Sequence, residues 1–146
     1  MIDITDTVFD PEGALAIFRA EASHAGAIAS FTGIVRDDGA TERLTLSHYA
    51  GFTETQIAAF QTAAAQRFDL IGSHIIHRVG DMVPGDVIVF VATAASHRRA
   101  AFEACDFLMD KLKSEAPFWK SEMRNGQSTW IEPRAQDGED LARWSE

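Results

Sequence analysis

The chain has 146 residues, 46% of them hydrophobic, with ten Phe and three Trp; 13 Lys plus Arg face 22 Asp plus Glu, a net charge of −9. That length holds one core and not two, and the apolar share excludes a disordered chain. A surface this acidic is repelled by a phosphate backbone, which excludes general nucleic-acid binding and requires any anionic ligand to be held by a local basic cluster.

Cys105 is the single cysteine, so neither an internal disulfide nor a multi-thiolate metal site is available. The first residues, Met1-Ile2-Asp3-Ile4-Thr5-Asp6, lack the basic start and apolar run of a signal peptide. The apolar run at 87–95, broken by Thr93, is far below the roughly 18–20 residues that cross a bilayer. One cytoplasmic domain over 1–146, without membrane contact, is the expectation.

Asp10-Pro11-Glu12 reads as a helix start: Asp caps the free N–H groups, Pro suits the first helical position, and Glu suits the positive dipole end. Leu15, Phe18 and Ala22 then repeat at helical spacing. Residues 27–35 alternate as a strand, 36–43 form a mobile polar loop, and 44–49 make a second strand. Thr53-Glu54-Thr55-Gln56 fits a capping box, with Phe52 stapling onto Ile57, and the helix ends near Phe68. Residues 72–79 and 87–93 read as strands joined around Pro84-Gly85. The second is so continuously apolar that it should be central and covered on both faces.

Ser96 is placed to cap a third helix whose inner stripe is Ala101, Ala104, Cys105, Leu108 and Leu112, and Pro117 stops it. Residues 118–123 and 128–132 flank Asn125-Gly126, a two-residue hairpin signal. A polar tail follows from about 133. The order αββαββαββ, with three helices, predicts an α+β fold with a mainly antiparallel sheet.

Several chemistries lack their motif: there is no Gly-rich phosphate loop, no dinucleotide fingerprint and no nucleophile elbow. His74 and His77, three apart on a strand, point to opposite faces, which is poor geometry for a metal. Cys105 lies on the inner stripe and reads as a small buried hydrophobe.

Two features point to chemistry. His97-Arg98-Arg99 sits at a helix N-terminus, where the dipole disfavours cations by roughly 0.3–1 kcal/mol each but free N–H groups attract anions. Basic groups there make sense around a bound phosphate or carboxylate, or as solvated charge paired with nearby acids. The chain also has only three lysines, and two of them, Lys113 and Lys120, bracket the stop at Pro117. Folded back on one another, they would share a pocket and lower each other's pKa, fit for acid–base or nucleophilic work. The competing reading is two solvated surface amines.

Phe31-Thr32-Gly33-Ile34-Val35-Arg36, His48-Tyr49-Ala50-Gly51, Ile76-His77-Arg78-Val79-Gly80, Pro84-Gly85-Asp86, Ser96-His97-Arg98 and Ala116-Pro117-Phe118-Trp119-Lys120 follow one another in an order that resembles the large, catalytic subunits of molybdopterin synthase. The resemblance runs from the first helix to Arg134. It implies an α/β-hammerhead-like fold and a sulfurtransferase that gives cyclic pyranopterin monophosphate two sulfurs, making the dithiolene of molybdopterin. Sulfur would arrive as a thiocarboxylate on the C-terminal Gly-Gly of a small ubiquitin-like sulfur-carrier subunit. With the ending Trp144-Ser145-Glu146, this chain is not expected to be that donor itself. The resemblance further implies a homodimer at the centre of a heterotetramer, with no resident cofactor and no metal in this step.

Carried over residue by residue, the family's essential lysine falls on Lys113 and the following lysine on Lys120. Arg36, His97, Arg98 and Arg134 match the basic pocket, and Phe31 and Met109 its apolar wall. Lys113 would act as general acid/base or transient nucleophile, and Lys120 would stabilise developing negative charge. Two rival readings remain: a non-catalytic module for a small anionic ligand, and an interaction protein that docks a partner on exposed Phe and Trp. A binder tolerates Lys113→Arg; proton transfer or covalent chemistry does not.

Overall fold

The structure, a computed structural model, describes residues 1–132 and 134–145. Pro133, where the sequence starts the polar tail, and Glu146 lie outside them. Twelve elements follow in the order β1 (Ile2–Thr5), α1 (Pro11–Glu21), β2 (Ala27–Ile34), β3 (Thr41–His48), α2 (Phe52–Phe68), β4 (Gly72–Arg78), β5 (Gly80–Met82), β6 (Val87–Ala95), α3 (Arg98–Ser114), β7 (Phe118–Arg124), β8 (Gln127–Ile131) and α4 (Ala135–Ala142). The class is α+β, as the residue pattern predicts. Among the described residues there are four helices rather than three, and the strands form two four-stranded sheets rather than one.

The first sheet has the order β1-β4-β6-β2 and the second β5-β3-β7-β8. All pairings are antiparallel except β1 with β4. As predicted, β6 is central in its sheet and buried on both faces. Val89 and Val91 point into a core with Ile57 and Ala64 of α2 and Ala101 and Leu108 of α3, whereas Phe90, Ala92 and Ala94 meet Phe18 and Ala22 of α1. A fully buried Ile57 or Leu108 contributes roughly 1.5–3 kcal/mol. A third cluster, Val35, Leu46, Val79 and Met82, joins the two sheets.

Helix α3 runs back along β6. The Thr93 hydroxyl donates to the Ala101 carbonyl at 2.7 Å, and Cys105 lies beside Val91. The C-terminal end of α3 therefore reaches the end of the sheet where β2 finishes and β6 begins.

Local chemistry accounts for most boundaries. Asp10 caps α1 by accepting from the Glu12 N–H at 3.1 Å. Asn125 and Gly126 both take positive φ, 51° and 75°, in the primed turn between β7 and β8. Two caps shift. The N-cap of α2 is Gly51, whose N–H donates to Glu54 at 3.1 Å, so the box starts two residues earlier than Thr53. Thr53 lies inside the helix, accepting from the Tyr49 N–H at 3.0 Å and donating to the Pro117 carbonyl at 3.2 Å. The N-cap of α3 is His97 rather than Ser96, and it makes no side-chain cap bond.

Three elements have no counterpart in the sequence reading; one is β5, which exists through its pairing with β3, Gly80 beside Leu46 and Met82 beside Leu44. β1 exists through its pairing with β4, from Ile2 beside Ile75 to Thr5 beside Arg78. The tail contains α4, locked to α3 where the Trp144 indole N–H donates to Asp110 at 2.6 Å and Arg143 pairs with Asp106 and Asp110.

Candidate active site

Four elements bring Lys113 and Lys120 together. Lys113 is in the last turn of α3, and Ala116-Pro117 reverses the chain into β7, where Lys120 lies between Leu46 of β3 and Ile131 of β8. The Thr53–Pro117 hydrogen bond ties that reversal to the start of α2, and Trp119 meets Tyr49 edge-on at 4.5 Å. Arg134 and Asp137 close the site from the start of α4, where the Asp137 carboxylate accepts from the Arg134 guanidinium at 3.1 Å.

The electrostatics follow from this packing. Burial of half-buried Lys120 is the largest influence on its amine, and the Lys113 charge is the next; together they bring its pKa from 10.5 down to about 8. Asp137 pulls it back up, Arg134 pushes it further down, and the neighbouring Lys113 amine adds a further small lowering. Lys113 is exposed and enters no ion pair among the described residues, whereas Lys111, two residues earlier, is engaged by Glu115 at 3.2 Å.

His77 forms the floor. It is buried, its ring stacks on Phe118 with centroids 4.1 Å apart, and Nδ1–H donates to the Arg78 carbonyl at 3.0 Å. Burial first, then the charges of Lys120, Lys113 and His48, hold its pKa at about 4. His77 is therefore a neutral ring with a fixed tautomer.

The remaining candidates are spread over the chain. Met109 is half-buried on α3 one turn before Lys113, on the same face. Arg36 is exposed just beyond β2, at the same end of the first sheet as the C-terminus of α3. Phe31 is 42% exposed on β2, an edge strand of that sheet. His97 and Arg98 are elsewhere: they line a shallow concavity with Arg99, Phe102 and Glu103 at the start of α3. Fifteen residues of helix put Arg98 about 22 Å along the axis from Lys113, so these two groups of one chain do not share a cavity. His74 faces away from His77, bonded to Asp3 at 2.9 Å.

Asp137, His77 and His48 are the site residues that the sequence reading missed. Asp137 had a local signal, since an acid three residues after Arg134 has capping-box spacing. His77 and His48 had none, because their neighbours come from other strands.

The family model described as MoaE protein matches residues 4–115. The chain is 48% identical, over 100% of its length and 98% of the relative's, to a molybdopterin synthase catalytic subunit of Caulobacter vibrioides. It is 43% identical to the Escherichia coli protein of the same name, over 86% of this chain and 85% of that one. Among solved structures, a molybdopterin biosynthesis MoaE protein from Burkholderia ambifaria superposes with a TM-score of 0.87 at 42% identity, covering 100% of this chain and 98% of that one. Molybdopterin synthase from Staphylococcus aureus gives a TM-score of 0.80 at 26% identity over 89% and 96% of the two chains. With a family match over most of its length and a relative of nearly half its residues, the chain belongs to the MoaE family of molybdopterin synthase catalytic subunits.

Proposed function

We propose that this chain transfers sulfur from the C-terminal thiocarboxylate of a small ubiquitin-like subunit to cyclic pyranopterin monophosphate, forming the molybdopterin dithiolene. The observation that carries the reading is the convergence of Lys113 and Lys120, close enough to act on one another's charge, beside Arg134 in an acidic chain with only three lysines. A solved complex of subunits 1 and 2 of a molybdopterin-converting factor, from Helicobacter pylori, has the same fold.

Each residue has a task in this reading. Each thiocarboxylate sulfur bonds a pterin side-chain carbon in place of an oxygen there. Its bond to the thiocarboxyl carbon breaks as water adds to that carbon, so the carrier is released as a carboxylate. Lys113, the exposed amine, acts there as general acid/base or as transient nucleophile. Lys120 holds negative charge developing on sulfur or oxygen, and burial strengthens that interaction. Arg36, Arg134, His97 and Arg98 hold the pterin phosphate and the carrier's terminal group by charge-assisted hydrogen bonds, with Phe31 and Met109 as apolar walls.

His97 and Arg98 sit too far along α3 to serve the lysines of their own chain, so a second copy supplies them. That role fits a homodimer at the centre of a heterotetramer, and the free edge of β2, with Phe31 and Ile34 exposed, is a surface for it. The reaction needs no resident cofactor or metal: the pterin is substrate, and the carrier brings the sulfur. The chain works in the cytoplasm, where a lone buried thiol such as Cys105 stays reduced. No helix among the described residues is long and apolar enough to cross a membrane.

The test is to combine the chain with the thiocarboxylated carrier and the pterin, and to measure dithiolene product by mass spectrometry. Wild-type protein should form it and Lys113→Ala should not. Undiminished product from Lys113→Ala removes that lysine from the mechanism, and full activity of Lys113→Arg leaves it only a charge.

A further inference from the structure

We propose that Asp137 is a positioning residue of this site, one whose carboxylate holds the Arg134 guanidinium at the lysine pair and sets negative charge against it. The inference rests on the sulfur-transfer reading and adds to it a role for α4, an element outside the stretch that the family model matches.

Asp137 is only 9% exposed. One carboxylate oxygen accepts from the Arg134 guanidinium at 3.1 Å and the other from the Arg134 backbone N–H at 3.3 Å. Its own carbonyl accepts from the Ser114 hydroxyl at 3.0 Å, which fastens the start of α4 to the residue after Lys113. Neighbouring acids are turned elsewhere. Asp106 and Asp110 hold Arg143, Asp110 also takes the Trp144 indole, and Asp140 takes the Gln136 amide. The groups facing the Lys120 amine and the ring beneath it are Lys113 from α3, Arg134 and Asp137 from the start of α4, His77 from β4 and His48 from β3.

The Arg134 side chain is 65% exposed and would otherwise sample many rotamers. A largely buried, charged acceptor fixes it in one place, where it can meet an anion without first paying the ordering entropy. The ordinary alternative is that Asp137 merely completes the capping box of α4. Asp137→Asn separates the two, because the amide oxygen still accepts from the Arg134 N–H while the charge is gone.

The full-length chain is labelled with acetic anhydride over a pH series, and modification of the Lys120 peptide is followed by mass spectrometry. In Asp137→Asn the Lys120 midpoint should fall below its wild-type position near 8, because a group that favoured the ammonium has lost its charge. In turnover with the thiocarboxylated carrier, KM for the pterin should rise about tenfold, the effect of one charged hydrogen bond, with a smaller change in kcat. Asp137→Glu should recover part of both effects, and Gln136→Ala, on the exposed side of the same helix, should shift neither. An unmoved Lys120 midpoint in Asp137→Asn, or an equal shift in Gln136→Ala, overturns the proposal. A wild-type chain that makes no dithiolene would refute the sulfur-transfer reading instead, and the labelling result would still decide whether Asp137 governs Lys120.

Discussion

The His77 imidazole lies on the Phe118 ring, centroids 4.1 Å apart and planes 21° from parallel, so a strand of the first sheet and a strand of the second meet directly beneath the lysine pair. The contact welds β4 to β7 at the point where Lys120 must be held still. It also makes His77 an acid-sensitive element, because a buried ring under several cations resists taking a proton.

That resistance predicts how stability changes with pH. The unfolded chain binds a proton at His77 below pH 6.5, whereas the folded chain refuses it until about 4. The contribution is present in full above 6.5 and is lost as pH falls from 6.5 to 4, by on the order of 3 kcal/mol. His77→Phe keeps a ring on Phe118 and removes the titration, so its urea midpoint should depend less on pH in that window. The unpaired Arg78 carbonyl lowers its stability by a constant amount. Equal slopes for the two proteins would exclude His77 as the acid-sensitive group.

Lys120 predicts a limb on the alkaline side of the activity profile. If its ammonium stabilises the developing anion, kcat falls as pH rises through about 8, where the amine loses its proton. Lys120→Arg keeps its charge to much higher pH, so whatever activity it retains should lose that limb. Removing the Lys113 charge in Lys113→Ala takes away the second-largest influence on Lys120, and acetylation of Lys120 should then titrate at higher pH. A kcat flat from pH 7 to 10 in the wild type would contradict this assignment.

The parts of the fold legible in the sequence are those that local chemistry decides: the Asp10-Pro11 start, the Asn125-Gly126 turn, the inner stripe of α3 and the doubly covered β6. β1 was not legible, because four residues become a strand only through a parallel partner some seventy positions away. The end of the chain reads as polar, yet α4 forms because Asp110 offers a buried acceptor to Trp144 and Arg143. The site divides similarly. Lys113 and Lys120 stand out by their rarity and by the stop between them. Their floor, His77 and Phe118, is assembled from two sheets, and the distance to Arg98 emerges only once the intervening residues are seen to be one unbroken helix.

Gly26 marks a place with no room. A Cβ built there would lie 2.1 Å from the Ser96 carbonyl oxygen, a backbone atom that moves only if the β6–α3 connection moves with it. Gly26→Ala should therefore destabilise the chain by about 2–4 kcal/mol, read as a lower urea midpoint. It should also disturb His97 and Arg98 more than the distant lysines. Wild-type stability in this variant would mean that the connection is not fixed as described.

Residues 36–43 read as a mobile polar loop, but β3 already begins at Thr41 and the structure ties 37–40 down. Asp38 accepts from the Ala40 and Thr41 N–H groups at 3.0 and 2.9 Å, and Arg124 of β7 bridges Asp38 and Glu122. These bonds hold the Asp38 carboxyl well below the usual range, the two backbone donors contributing most. Water and salt screen an exposed pair of this kind, so Arg124→Ala should barely move Tm. It should release the loop, and trypsin should cut after Arg36 faster than in the wild type. An unchanged cleavage rate would show that the Asp38 turn alone fixes the loop.

The length of α3 sets the last prediction. Arg98 and Lys113 of one chain lie about 22 Å apart along the helix, so a site that uses both must take them from two copies. Arg98→Ala and Lys113→Ala homodimers should each be nearly inactive. In a heterodimer of the two, one site receives the intact Lys113 of the first chain and the intact Arg98 of the second, and the other site receives neither. Random mixing makes half of the dimers mixed, each with one working site, so about a quarter of wild-type activity should return when the inactive variants are unfolded and refolded together. If each variant is inactive alone and refolding them together restores nothing, the two residues serve the same site from within one chain, and α3 would have to break in the working enzyme.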